Sequence, residues 1–167
     1  SDLLLQGDGQ QRVYEDSTNA ATMGGGSYME FESTNANYTT ENVAKLMEAI
    51  RIVFADKEGT PLAYAKLGAS AVTGSKVKAP IELWAATVDA EGKITYTGDA
   101  KLDSQKITAL TANTPTAISV YVYLDGDVVD NGDVANAATS MTGSMNLQFA
   151  SSATLTPMKN TPLYEGK

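Results

Sequence analysis

The chain contains no cysteine and no histidine. The first absence removes disulfides, thiolate nucleophiles and thiolate metal sites. The second removes the commonest general base, the commonest transition-metal ligand and every catalytic triad built on imidazole. Cysteine-free composition suits a cytosolic protein and equally an exported one that does without disulfides, so it leaves the compartment open. Positive charge is also scarce: 12 Lys and Arg stand against 20 Asp and Glu, for a net charge of −8. Such a surface repels phosphate backbones and anionic lipid, and no basic run offsets it, which argues against nucleic-acid binding. The apolar runs are short and strand-like, far below the roughly 20 residues of a membrane helix, so no membrane insertion is expected. There is no GxSxG, Walker loop, GxGxxG or HExxH. The Gly24–Gly26 run lacks the lysine and the strand–helix setting of a phosphate loop. No secretory leader is visible, and the opening "SDLLLQGDGQ" fits a mature end after cleavage and a shortened chain equally.

What is present is period-two alternation bounded by Gly, Pro, Asn and Asp. In "TAISVYVYL" (116–124), Ala117, Ser119, Tyr121 and Tyr123 fall on one face and Ile118, Val120, Val122 and Leu124 on the other. An aliphatic face opposite a Ser/Tyr face predicts a strand with one side in the core and one in solvent. "GSMNLQFAS" (143–151) repeats the pattern, with Met145, Leu147 and Phe149 inward. Further strands are expected at 3–6, 11–15, 27–33, 48–56, 61–68, 80–89, 93–98 and 106–111. About ten short strands separated by turns suit a sandwich or jelly roll. The exception is "TTENVAKLMEA" (39–49), where Val43, Leu46, Met47 and Ile50 recur at helical spacing behind Thr39 or Thr40 as N-cap. A second helical turn is expected at 133–140, capped by Asp133. With 167 residues and no internal repeat, the expectation is one all-β, jelly-roll-type antiparallel β-sandwich spanning 1–167, with one short helix around 40–48.

Candidate chemistry concentrates in Asp125, Asp127, Asp130 and Asp133. An EF-hand loop needs oxygen ligands at positions 1, 3 and 5, Gly at 6 and Glu at 12. Counting from Asp125, those later places hold Val129, Asp130 and Asn136, so the register fails. "DGD" and "DNGD" read as turns, and the alternative is a weak, irregular calcium site from Asp127, Asp130, Asn131 and Asp133. No other cofactor is expected. Glu30, Glu32, Glu82 and Asp89 lie on strands where catalytic carboxylate pairs could form, but alternation puts Glu30 and Glu32 together on the polar, solvent face. Trp84, in "PIELWAATV", shares a face with Glu82 and Ala86. It reads as half-buried packing or as a sugar-stacking platform, as do Tyr121 and Tyr123. Nothing in these patterns supports an enzyme.

The order of an alternating strand ending in Leu124, an acid–Gly turn Asp125–Gly126–Asp127, the acidic stretch Asp130–Asn131 and a closing strand Leu147 to Phe149 resembles the C-terminal strands of TasA/camelysin-like bacterial surface proteins. "AIRIVFAD" (49–56) is similar to that family's early core strand. The resemblance covers about a third of the chain. It implies a secreted, cell-surface jelly roll that forms homopolymeric extracellular fibres by lending an N-terminal strand to a neighbouring copy. Some camelysin-like proteins are described as metallopeptidases, and without histidine this chain has no zincin-type site. Under the resemblance, residues 1–10 would be donated strand and hinge, with Leu3 and Leu5, or Leu4 in a shifted register, as the buried alternates. The opposing expectation is an ordinary first strand within its own sheet. From a different functional class, the alternative is a secreted carbohydrate-binding module with a structural calcium, using Trp84, Tyr121 and Tyr123 on a glycan.

Overall fold

The computed structural model describes residues 1–7, 26–36, 38–101, 105–129, 132, 136 and 138–151. Its elements run β1 (Asp2–Leu5), β2 (Tyr28–Ser33), α1 (Thr40–Met47), β3 (Ile50–Ala55), β4 (Pro61–Leu67), β5 (Ala71–Thr73), β6 (Lys76–Val88), β7 (Ile94–Lys101), β8 (Lys106–Ala109), β9 (Ser119–Leu124), a 3-10 turn (Ala138–Ser140), β10 (Met141–Asn146) and β11 (Phe149–Ser151). The class is all-β with one short helix, as expected, and the strands form two antiparallel layers. One is a three-stranded sheet, β11-β1-β8; the other has eight strands in the order β10-β2-β6-β4-β3-β9, with β5 and β7 also on β6. No helix among the described residues is long and apolar enough to cross a membrane.

Alternation explains the inner faces. Val77, Ala79, Ile81 and Leu83 of β6 and Ala63, Ala65 and Leu67 of β4 are buried, with polar or aromatic residues between them. All six residues of β3 are buried, because the sheet's other face is covered there too. Phe54 meets Phe149 edge-to-face at 6.3 Å between ring centroids, tying β3 to β11 across the layers. In α1, Thr39 is the N-cap, accepting from the Asn42 amide at 3.3 Å, and Val43, Leu46 and Met47 are buried. The β3–β4 and β6–β7 hairpins share one turn chemistry. Asp56 accepts from the Glu58 and Thr60 amides, Asp89 accepts from those of Glu91 and Lys93, and Gly59 and Gly92 both take φ of +84°.

Three expectations are corrected. β6 begins four residues earlier than Pro80, and Pro80 sits inside the strand. It is tolerated because it faces the gap between the end of β4 at Leu67 and the start of β5 at Ala71, where no ladder partner calls for an N–H. "GSMNLQFAS" is not one strand but two. β10 ends at Asn146 and β11 starts at Phe149, in different sheets. The corner is set by buried Ser27, whose Oγ accepts from the Gln148 amide at 3.1 Å, and by the Gln6 amide, which donates to the Gln148 carbonyl at 2.9 Å. The third correction concerns β9. Its aliphatic residues Val120, Val122 and Leu124 are 36%, 47% and 47% exposed instead of buried. β9 is the last strand of the larger sheet, and nothing among the described residues covers its inner face. The expected strand at 11–15, the cap at Asp133 and half of the helical turn it would begin lie outside the described residues; the end of that turn is the 3-10 turn Ala138–Ser140.

Phe54 is fully buried and bridges both layers. Phe54→Ala is expected to cost about 3–5 kcal/mol, read as a lower denaturant midpoint with an unchanged slope.

Candidate functional site

Strand register gathers on one outer face most of the residues that could carry function. Trp84 lies opposite Tyr64, Tyr64 opposite Val53, and Val53 opposite Tyr121, which makes one row across β6, β4, β3 and β9. The neighbouring row is Glu82, Lys66, Arg51 and Tyr123. The three aromatic residues singled out from sequence therefore share a face, although their access differs. Lys66 Nζ stands 3.8 Å from the Trp84 ring centroid and 5.5 Å from that of Tyr96. The ammonium occupies the surface a sugar would stack on, so Trp84 is packing beneath a cation. Its Nε1 is buried without a hydrogen-bond partner among the described residues. Tyr121 and Tyr123 are 52% and 39% exposed.

Arg51 is the residue that sequence reasoning missed. Its guanidinium is 9% exposed, donates to the Glu48 carbonyl at 2.7 Å and the Ile50 carbonyl at 3.0 Å, lies 3.6 Å from Asp125 Oδ2, and sits 5.2 Å from the centre of the Tyr96 ring. It thereby closes the C-terminal end of α1, where carbonyls lack partners. Tyr96 in turn donates from its hydroxyl to the Ala65 carbonyl at 3.1 Å. Burial, reinforced by Tyr123, raises the Tyr96 phenol far above its ordinary range; burial is also the main cause raising Tyr123. The signal for Arg51 was its place in "AIRIVFAD": a lone charge at an otherwise apolar strand position has to be met by acceptors.

The acidic stretch resolves in part. Asp125 Oδ1 accepts from the Asp127 amide at 3.0 Å and the Val128 amide donates to the Asp125 carbonyl at 3.1 Å, so 125–128 is a turn. Asp125 faces Arg51, and Asp127 pairs with Lys93 at 3.3 Å. Asp130, Asn131 and Asp133, the other members of the calcium alternative, lie outside the described residues. Among the described residues, no group of three or more His, Cys, Asp or Glu side chains is placed to hold a metal ion. Glu30 pairs with Lys76 at 3.7 Å, and Glu32 accepts from Ser75 Oγ. Both line a shallow groove of about 190 Å³ with Thr142 and Ser144. Gly143 is required beside it, because the Phe31 ring lies directly where a Cβ would project. Glu82 stands in the row with Lys66, and Asp89 is a turn residue.

The N-terminal strand occupies the middle of the smaller sheet. Leu3 and Leu4 lie opposite Ser151 and Ala150 of β11, Leu5 opposite Phe149, and Asp2 and Leu3 opposite Ala109 and Thr108 of β8. Leu4 and Leu5 are buried, Leu3 packs against the core, and Asp2 pairs with Lys106 at 3.1 Å. No family model, curated protein or solved structure matches this chain.

Two outcomes follow for this face. Arg51→Ala is expected to cost about 3 kcal/mol, and a double-mutant cycle with Asp125→Ala should show coupling, reduced because the Asp125 side chain is 32% exposed. The raised phenols keep their protons in the folded state after unfolded tyrosines have ionised. Their contribution is fully present below the unfolded value near 10 and is lost as pH rises above it. Ultraviolet titration should find two late-ionising tyrosines, and Tyr96→Phe should remove one of them.

Proposed function

We propose that this chain is a structural subunit of a secreted bacterial filament, in which β1 of one copy fills the place between β8 and β11 of the next. The observation that carries this reading is the position of β1. Four residues supply the central strand of an entire layer, paired on both edges. They join the remainder of the chain through Gln6, Gly7 and the eighteen residues 8–25. The ends of that connection are adjacent, since Gly7 bridges to Ser27 and the Ser27 amide donates to the Gln6 carbonyl at 2.8 Å. An extended segment of that length reaches roughly 60 Å, enough to carry β1 to another molecule.

The energetics are the same in either arrangement. A β1 from a second copy would bury the same Leu4 and Leu5, worth roughly 1.5–3 kcal/mol each, and form the same main-chain bonds. Exchange of identical elements is therefore a low-cost route to assembly, decided by concentration and by the connection. The resemblance to TasA/camelysin-like fibre proteins and their jelly-roll topology supports this reading from the sequence side. A second reading, a carbohydrate-binding module, rests on exposed Tyr121 and Tyr123 alone, because Lys66 covers Trp84.

Deleting residues 1–6 is expected to lower the melting temperature and abolish filaments. A peptide of residues 1–7 added to the deleted chain should restore the melt, and in excess it should cap growth of the full chain. Electron microscopy at rising concentration is the readout. Filaments formed by the deleted chain would rule out donation from this end, and a persistent full-length monomer that binds a glycan array would favour the second reading.

A further inference from the structure

The edge strand β9 lies in the larger sheet, apart from β1. One side of β9 is fully paired with β3, from Ile50 opposite Leu124 to Ala55 opposite Ser119, while among the described residues no strand pairs with its other side. The direction of its backbone groups follows from one bond. The Asp125 amide donates to the Ala49 carbonyl at 2.8 Å, toward β3. Backbone groups alternate along a strand, so Tyr121 and Tyr123 also address β3, and Val120, Val122 and Leu124 send their N–H and C=O groups to the open side. Those same residues have exposed side chains on the inner face, opposite Phe54, Ile52 and Ile50, so the apolar layer continues to the edge and, among the described residues, stops there only partly covered.

Exposed edges of natural sheets are usually blunted by Lys, Pro, a bulge or an inward charge. "SVYVYL" has none of these. The nearest charges are already engaged, Asp125 with Arg51 and Asp127 with Lys93. The strand is also symmetric in character about Val122. Laid antiparallel on itself with Val122 at the centre, it places Val120 opposite Leu124 and Tyr121 opposite Tyr123, twice each. The inner residues meet inner residues, and up to about six main-chain hydrogen bonds can form. Asp125 then falls opposite Ser119, so no like charges face each other.

We propose that β9 pairs with β9 of a second copy about a twofold axis at Val122, joining two eight-stranded sheets into one continuous sheet and burying the Val/Leu strip. The interaction is isologous, so it closes a pair and does not propagate by itself. In a chain that also polymerises through β1, it would bind two filaments side by side. Each copy carries −8, so the long-range repulsion is screened by salt and pairing should strengthen from low to physiological ionic strength.

The test uses the full chain in sedimentation velocity at rising concentration. The wild-type chain should form a dimer, or a larger species built from dimers. Val122→Lys, which sets two ammonium groups against each other on the axis, should raise the dissociation constant roughly 100-fold. Val122→Pro removes only an outward N–H, so it should break the pair and leave the melting temperature nearly unchanged, whereas Tyr121→Pro removes a bond to β3 and should lower it. Because the chain has no cysteine, mixing Tyr121→Cys with Tyr123→Cys should give an oxidised heterodimer, with far less cross-linking in either alone. A wild-type chain that stays monomeric, or an assembly insensitive to both Val122 variants, would overturn the proposal. In the second case assembly through β1 remains the explanation.

Discussion

A guanidinium withdrawn from water needs acceptors, and Arg51 shows how far that requirement reaches: its Nη1 and Nη2 are met, while its buried Nε has no hydrogen-bond partner among the described residues. Its position on β3 is fixed by pairing with β4 and β9, so the neighbours must come to it. The end of α1 supplies the Glu48 carbonyl, the start of β3 supplies that of Ile50, the turn after β9 supplies Asp125, and β7 supplies the Tyr96 ring. Helix, edge strand and β7 are thus positioned around one charge. This is why the outer face of the sheet at β3 is buried when most outer sheet faces are wet. The first acidic residue of the densest acidic stretch is consequently committed to structure and is unavailable as a free ligand.

The second constraint is the mismatch between layers. Three strands cannot cover eight, and the smaller sheet sits where Phe149 meets Phe54 and where Leu5 and Ile107 join the core. β6 therefore does most of the organising in the larger sheet. It pairs with β2 and β5 along its first half and with β4 and β7 along its second. The far edge, at β9, is left with an apolar strip that no strand among the described residues covers. The four-residue central strand of the small sheet and, among the described residues, the unpaired edge of the large sheet are two separate features of one chain. The proposed exchange would use the first and the proposed pairing the second.

The candidate site shows why alternation alone reads side chains but not neighbours. The sequence placed Trp84 on the face of Glu82 correctly, and it left open whether that face stacks sugars or packs. The answer came from Lys66, eighteen residues earlier in another strand and lying over the ring at 3.8 Å. Register across strands is set by hairpin geometry and by long-range pairing, which no local pattern contains.

What the sequence by itself determined is local. The absence of histidine and cysteine removed whole classes of chemistry. Thr39 and the spacing of Val43, Leu46 and Met47 specified α1, the Asp–x–Glu–Gly turns specified two hairpins, and period-two alternation specified the strands. What only the tertiary structure decided is non-local. It split "GSMNLQFAS" between two sheets through bonds from Ser27 and Gln6, more than a hundred residues away. It also put β9 at an edge, so that residues with every local mark of a core face are exposed. An aliphatic strand face is buried only if another layer lies over it, and strand order, a property of the whole chain, determines whether one does.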